Sequence, residues 1–321
     1  MSALTLTAVA ALPGTASAVT APNATAVYYV GDLNSSYYFN LGCAQGQIDF
    51  NRAGTQTRVV VLQFGDPAMS GTTYGTLNLS YGEFDSRSVM LPLALEFAHG
   101  YWQCTSSDTA SSITLAVTSS NYGNQVVANP TQQGRAWSNF VTQVRSSVDT
   151  AGYGNQVNVQ GGYDMEPGFN SGDPSLALLD GYYSINSNWS YDTGSADGCP
   201  QSGLADCSAN GHTWTVNQRY LSAWGDYRSL ALPQVYQTNG AQAGQWANLS
   251  RYGANHLQSP IAFSGIATQQ GACSFRPCAG TNNSPAQGYQ QLYAALQLQP
   301  NTAMAPQFSE DFRWEGDVCP C

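Results

Sequence analysis

The chain has 321 residues with ten arginines and no lysine against twenty acids, a formal charge of −10, and only 9% of its residues are charged. That balance excludes the basic footprint that nucleic acid or anionic lipid requires, and no stretch reaches the roughly 18 uninterrupted apolar residues of a membrane span. A surface solvated by Ser, Thr, Asn, Gln, Gly and Tyr suits an extracellular protein, and the length suits one barrel-sized domain.

In chain order, Met1 to Ala18 is small and apolar and ends in Ala16-Ser17-Ala18, the small-x-small form that signal peptidase cuts. It reads as the tail of a secretory signal whose basic region lies further upstream. Residues 19–57 read as a short N-terminal extension with one apolar-aromatic run, Ala26 to Val30. Residues 58–321 read as a single α/β domain. Arg58 to Phe64 is β-branched and nearly continuous, as in a strand covered on both faces, and Ile113 to Thr118, Val157 to Asp164, Leu230 to Tyr236 and Pro260 to Ile266 follow more weakly. Between them the spacing predicts helices over Met90–Phe97, Gln133–Val148, Leu176–Ser184, Val216–Trp224, Ala241–Tyr252 and Ser284–Leu298. Strands alternating with helices imply right-handed βαβ units, and six or seven of them suit a closed (β/α)8-like, TIM-type barrel better than an open doubly wound sheet.

The even count of eight cysteines behind an export signal argues for disulfides. Two local pairs are expected, Cys199 with Cys207 and Cys273 with Cys278. The Cys319-Pro320-Cys321 end is expected to be tied down, with Cys43 and Cys104 as candidate partners.

The sharpest local feature is Gly161-Gly162-Tyr163-Asp164-Met165-Glu166-Pro167-Gly168. Strand periodicity puts Asp164 and Glu166 on one face, and Pro167-Gly168 stops the strand at once, so both acids belong at a C-terminal strand end, where barrels build active sites. Two neighbouring carboxyls do not both ionise cheaply, so one keeps a proton for a glycosidic oxygen. Glu166 is the expected acid; Asp164 would orient it, raise its pKa, and position an acyl-amino group or help a water attack. Other strand-end candidates for substrate binding are Asp66, Tyr122, Tyr236 and Gln237, with His212 and Trp214 from the Cys199–Cys207 region and Glu310, Asp311 and Trp314 from a last strand over Pro306–Trp314. Glu310 or Asp311 is the expected second carboxylate across the substrate. No GxGxxG, GxxxxGK[ST] or G-x-S-x-G motif is present, and no His pair has metal spacing, so neither cofactor nor metal is expected.

The Tyr-Asp-Met-Glu stretch resembles the D-x-E strand end of family-18 chitinases and family-25 muramidases. Over most of the chain the layout resembles a group of uncharacterised secreted actinobacterial glycoside-hydrolase-like barrels. The resemblance implies a (β/α) barrel with Glu166 in the proton-donor place and Asp164 beside it. Val159 and Gly162 stand where the chitinase D-x-x-D-x-D-x-E pattern has its earlier acids, and the Asp-x-Ser of muramidases is missing near the start of the barrel. The expected function is hydrolysis of a polysaccharide or cell-wall glycan by a secreted protein. The alternative is an extracellular or cell-wall-associated barrel that binds glycan without turnover.

Overall fold

The computed structural model describes residues 19–314 apart from 106, 226–227 and 275–276. The Met1–Ala18 run and the Cys319–Cys321 pair lie outside the described residues. Eight parallel strands alternate with seven helices: β1 Thr25–Tyr29, α1 Ser35–Phe50, β2 Thr57–Gln63, α2 Arg87–Cys104, β3 Ser112–Ser120, α3 Pro130–Thr150, β4 Val157–Asp164, α4 Gly172–Tyr183, β5 Ser190–Asp192, α5 Val216–Ala223, β6 Ser229–Ala231, α6 Ala241–Tyr252, β7 Gly265–Thr268, α7 Pro285–Gln297 and β8 Phe308–Arg313. Strand neighbours run β6-β5-β4-β3-β2-β1-β8-β7, and the bridges Ala231↔Phe263 and Gln234↔Ala267 join the two ends. The sheet is therefore a (β/α)8 barrel.

Alternation along the strands sorts the side chains. Val27, Val59, Val61, Ala116, Tyr191, Leu232, Ala267 and Phe312 fill the barrel interior. The opposite faces of β1 to β4 pack on α1 to α4 around Leu62, Phe97, Phe140 and Tyr163. A separate cluster around Trp214, Tyr220, Trp246 and Tyr289 lies under α5 to α7. In α3 the apolar stripe Trp137, Phe140, Val141, Val144 and Val148 is buried as its helical spacing requires.

The expected boundary at residue 58 moves. The Ala26–Val30 run belongs to β1, which pairs with β2 on one side and β8 on the other, so the barrel starts at Thr25 rather than after an extension. The helix α1 escapes a periodicity reading because its contact with α2 is made by backbone. A Cβ on Gly42 would stand 2.0 Å from the Phe97 carbonyl oxygen, and one on Gly100 would stand 2.0 Å from that of Phe39. The same close approach brings Cys43 to Cys104, which form a disulfide with each other, correcting their expected pairing with the C-terminus. Cys199–Cys207 and Cys273–Cys278 close the two local loops.

Two further elements were not expected. Strand β5 falls inside a Gly- and Asp-rich stretch, and at three residues it is too short for periodicity to register. After β2 the chain builds a small antiparallel sheet from Asp66–Ser70, Thr73–Leu77 and Phe84–Ser86. It rises beside the C-terminal ends of β2 and β3, where Ser120 Oγ donates to Asp66 Oδ1 at 2.6 Å.

Candidate active site

Asp164 is the last residue of β4, in register with Ser120 of β3, and is buried. Glu166 lies two residues further on, half-buried at the mouth. The alternating Tyr163 and Met165 turn into the helix-facing core, so the backbone alternation delivers both carboxyls to the mouth side. Beyond the strand, a side chain continues the ladder. Asn121 Oδ1 accepts the Glu166 N–H at 3.0 Å and Asn121 Nδ2 donates to the Glu166 carbonyl at 3.1 Å, as a neighbouring strand would.

The two acids meet at one amide. Gln234 Nε2 donates to Asp164 Oδ1 and to Glu166 Oε1, each at 2.9 Å. A side-chain hydrogen bond also links Asp164 with Glu166. Burial is the main force on both groups. It pushes the Glu166 carboxyl up to about 7, against the Gln234 hydrogen bond, which favours the ionised form. Asp164 is held well above the usual carboxylate range, first by burial and then by the charge of Glu166. Near neutral pH the pair therefore shares a proton, and the two titration steps belong to the pair rather than to either residue.

A cleft of about 540 Å³ is lined by Asp66, Met69 and Leu77 of the small sheet and by Tyr122, Phe169 and His212, and it adjoins the turn after Glu166, whose carbonyl accepts the Phe169 N–H at 3.1 Å. The Tyr122 ring is half exposed and stands edge-on to Phe169 at 5.4 Å. Burial raises the Asp66 carboxyl, and the Ser120 hydroxyl bonded to it opposes the rise. Three sequence candidates, Asp66, Tyr122 and His212, thus share one surface. Tyr236 is buried inside the barrel mouth with its ring edge-on to Phe312, and its hydroxyl has no hydrogen-bond partner among the described residues. Gln237 follows it, half exposed, its N–H donating to Gln242 Oε1 at 3.1 Å. Trp314 stacks on Tyr29 at 4.3 Å.

The other candidates are placed elsewhere. Trp214 is fully buried, and its Nε1 donates to the Asn170 carbonyl at 2.6 Å, so it braces the Phe169–Asn170 turn instead of meeting a sugar. Glu310 is fully buried within the barrel, bonded to the Thr25 hydroxyl. Asp311 turns the other way, accepting from Thr268 Oγ1 and the Gly271 N–H at 2.9 Å each. Neither is open to a ligand, which corrects their expected place across the substrate. Sequence reasoning missed Asn121 and Gln234. Their only signal is that each follows shortly after a strand, Asn121 directly after Ser120 and Gln234 a few residues after Ala231, and amides carry no motif.

A GH26 β-mannanase from Bacteroides ovatus is structurally similar to this chain, with 11% sequence identity over 87% of this chain and 86% of that one and a TM-score of 0.39. No family model and no curated protein matches the chain. At that score the likeness adds nothing to what the strand order already shows.

Proposed function

We propose that this protein is a glycoside hydrolase acting outside the cell on a polysaccharide or cell-wall glycan, with Glu166 as the general acid. The observation that carries the reading is the convergence of Asp164 and Glu166 on the Gln234 amide at the C-terminal mouth of the barrel, in surroundings that keep a proton on the pair near neutral pH. In this reading Glu166 protonates the glycosidic oxygen as the bond to the anomeric carbon breaks. Asp164 holds that proton in place and positions an acyl-amino group or an attacking water. The cleft lined by Asp66, Tyr122 and His212 receives the chain, with the exposed Tyr122 ring as a surface on which a sugar face can rest. Tyr236, Gln237 and Trp314 lie outside that cleft and are proposed as substrate contacts only from their places at the ends of the strands. Three disulfides support an oxidising, extracellular setting.

Glu166→Gln keeps the shape but removes the proton, and general acid catalysis is worth about 10²- to 10⁴-fold, so turnover of a polysaccharide panel should fall by at least about a hundredfold with little change in melting temperature. An active wild type whose rate survives this substitution removes Glu166 from the mechanism. The closed environment of Glu310 and Asp311 favours a second reading, a barrel that binds glycan without cleaving it. A wild type that binds members of the panel and hydrolyses none establishes it.

A further inference from the structure

Behind the acid pair lies a second ionic pair that the proposed chemistry does not use. Arg219 of α5 is fully buried. Its Nη1 donates to Asp192 Oδ2 at 2.6 Å and its Nη2 to Asp192 Oδ1 at 3.4 Å. Nε donates to the Ser195 carbonyl at 3.0 Å and Nη1 also to Ser222 Oγ at 2.6 Å, and the guanidinium lies 4.5 Å over the Trp246 ring. A buried ion pair is weak evidence for stability, because desolvation offsets much of the attraction. What this pair holds is therefore the better guide to its role.

It holds a strap, residues 192–195, that touches both sides of the acid site. The Thr193 N–H donates to the Tyr163 carbonyl at 2.9 Å, and Asp192 accepts the N–H of Met165, the residue between the two acids. On the other side the Gly194 carbonyl accepts the Gln234 N–H at 3.0 Å. The Asp192 carboxylate also takes the Gly194 N–H at 2.9 Å, fixing the strap on itself. The approach is close: a Cβ on Gly194 would stand 1.9 Å from the Met165 carbonyl oxygen.

We propose that Asp192 and Arg219 are positioning residues, which set the separation and the proton affinity of Asp164 and Glu166 by fixing the 192–195 strap against Met165 on one side and Gln234 on the other. The strap places the acid-bearing stretch and the amide that bridges its carboxyls on a common mount. The charged and titratable groups around the acids are Asp66 after β2, Asp192 and Asp197 on and after β5, Arg219 on α5 and Tyr236 after β6. Arg219 is the only cation in that set, so its loss moves Glu166 toward the neutral form, whereas loss of the Asp192 charge eases ionisation of Asp164.

The kinetic part of this assignment rests on the glycosidase reading, but its decisive test does not. Carboxyl-carbon NMR of the labelled intact protein follows the titration of Asp164 and Glu166 without substrate. In Arg219→Gln the titration of Glu166 should move to higher pH, since the Arg219 charge favours its ionised form. Where a cleaved glycan is known, kcat should fall about tenfold or more, as for other substitutions behind a reacting group, with KM within about twofold. Arg219→Lys keeps the charge but loses the fork, and should restore the titration while leaving part of the kcat loss. If Arg219→Gln does not fold, the neutral pair Asp192→Asn with Arg219→Gln carries the same test, and the separation between the two titration steps should change. A folded variant in either form that titrates as wild type overturns the proposal. A wild type that cleaves no glycan overturns the glycosidase reading and leaves the titration result standing.

Discussion

From β1 to β4 the strands are five to nine residues long and pair continuously, β3 with β4 over eight residues, whereas β5 and β6 have three residues each and β6 meets β7 through two isolated bridges. The first region buries one contiguous core against α1 to α4, and a disulfide spanning 61 residues ties its first two helices. The second region depends on side chains: the Arg219 fork, the Gln242 amide that takes the N–H groups of Tyr236 and Gln237, and the Asn283 amide that donates to the carbonyls of Val235 and Gln237. Continuous ladders leave no backbone to bend. It is the interrupted region that swings Gln234 across to the acids at the end of β4. The regular side thus presents the acids and the irregular side supplies the group that bridges them.

The contrast makes stability heavily dependent on buried contacts of the first region. Asp49 accepts from Arg58 Nε, Tyr101 Oη and Gln45 Nε2, and Asp49→Ala would strand the buried Arg58 charge. The expected loss is about 3 to 5 kcal/mol in urea unfolding, with a single transition. A loss confined to a minor, separate transition would break the comparison. Replacing Cys43 and Cys104 by Ser should cost about 2 to 4 kcal/mol, because the closed loop is long. The Cys199–Cys207 and Cys273–Cys278 bridges close short loops, at separations of 8 and 5, and their removal should cost less by the same assay.

Next in size is the effect of pH through the site. Within the folded pair, burial raises the Glu166 carboxyl from about 4.5 to about 7. Between those values the folded chain binds more protons, so stability should fall as pH rises through the window, by on the order of 2 kcal/mol from this group. Asp164 acts in the same direction. Melting temperatures across pH 4.5 to 7 should decline, and Glu166→Gln should flatten the slope; a stability that climbs over this range contradicts the burial of the pair. The smallest effect is expected at the edge of the second region. Ser284 caps α7 in a reciprocal capping box with Gln287, and Ser284→Ala should cost about 1 kcal/mol, sharpening the contrast if hydrogen exchange shows only α7 and its neighbours loosened.

The same division explains what the sequence disclosed. Strands with β-branched runs and helices with an apolar stripe were legible: β2, β4, α3 and α6 lie within a few residues of where spacing puts them. The position of Asp164 and Glu166 at a strand end followed from periodicity and Pro167-Gly168. The helix α1 was not legible, since Gly42 and Gly100 let backbone meet backbone and no apolar stripe is required. Strand β5 was hidden because three residues carry no period. Glu310 and Trp214 show the reverse error, because residue type suggested a ligand contact where the fold uses them inside the barrel and beneath the Asn170 turn. Gln234 was invisible because its role depends on a bridge between parts of the chain about 70 residues apart, which no local pattern encodes.

The bridge that closes the barrel at Gln234↔Ala267 uses the residue whose side chain spans the acids. Around it the Val235 N–H donates to the Ala267 carbonyl and the Ala267 N–H to the Pro233 carbonyl, at 2.8 Å each. This seam joins two successive strands, and one residue completes the ladder with its backbone and the bridge between the acids with its side chain. Opening the seam therefore takes the acid site apart, and hydrogen exchange at the Val235 and Ala267 amides would report the integrity of the pair.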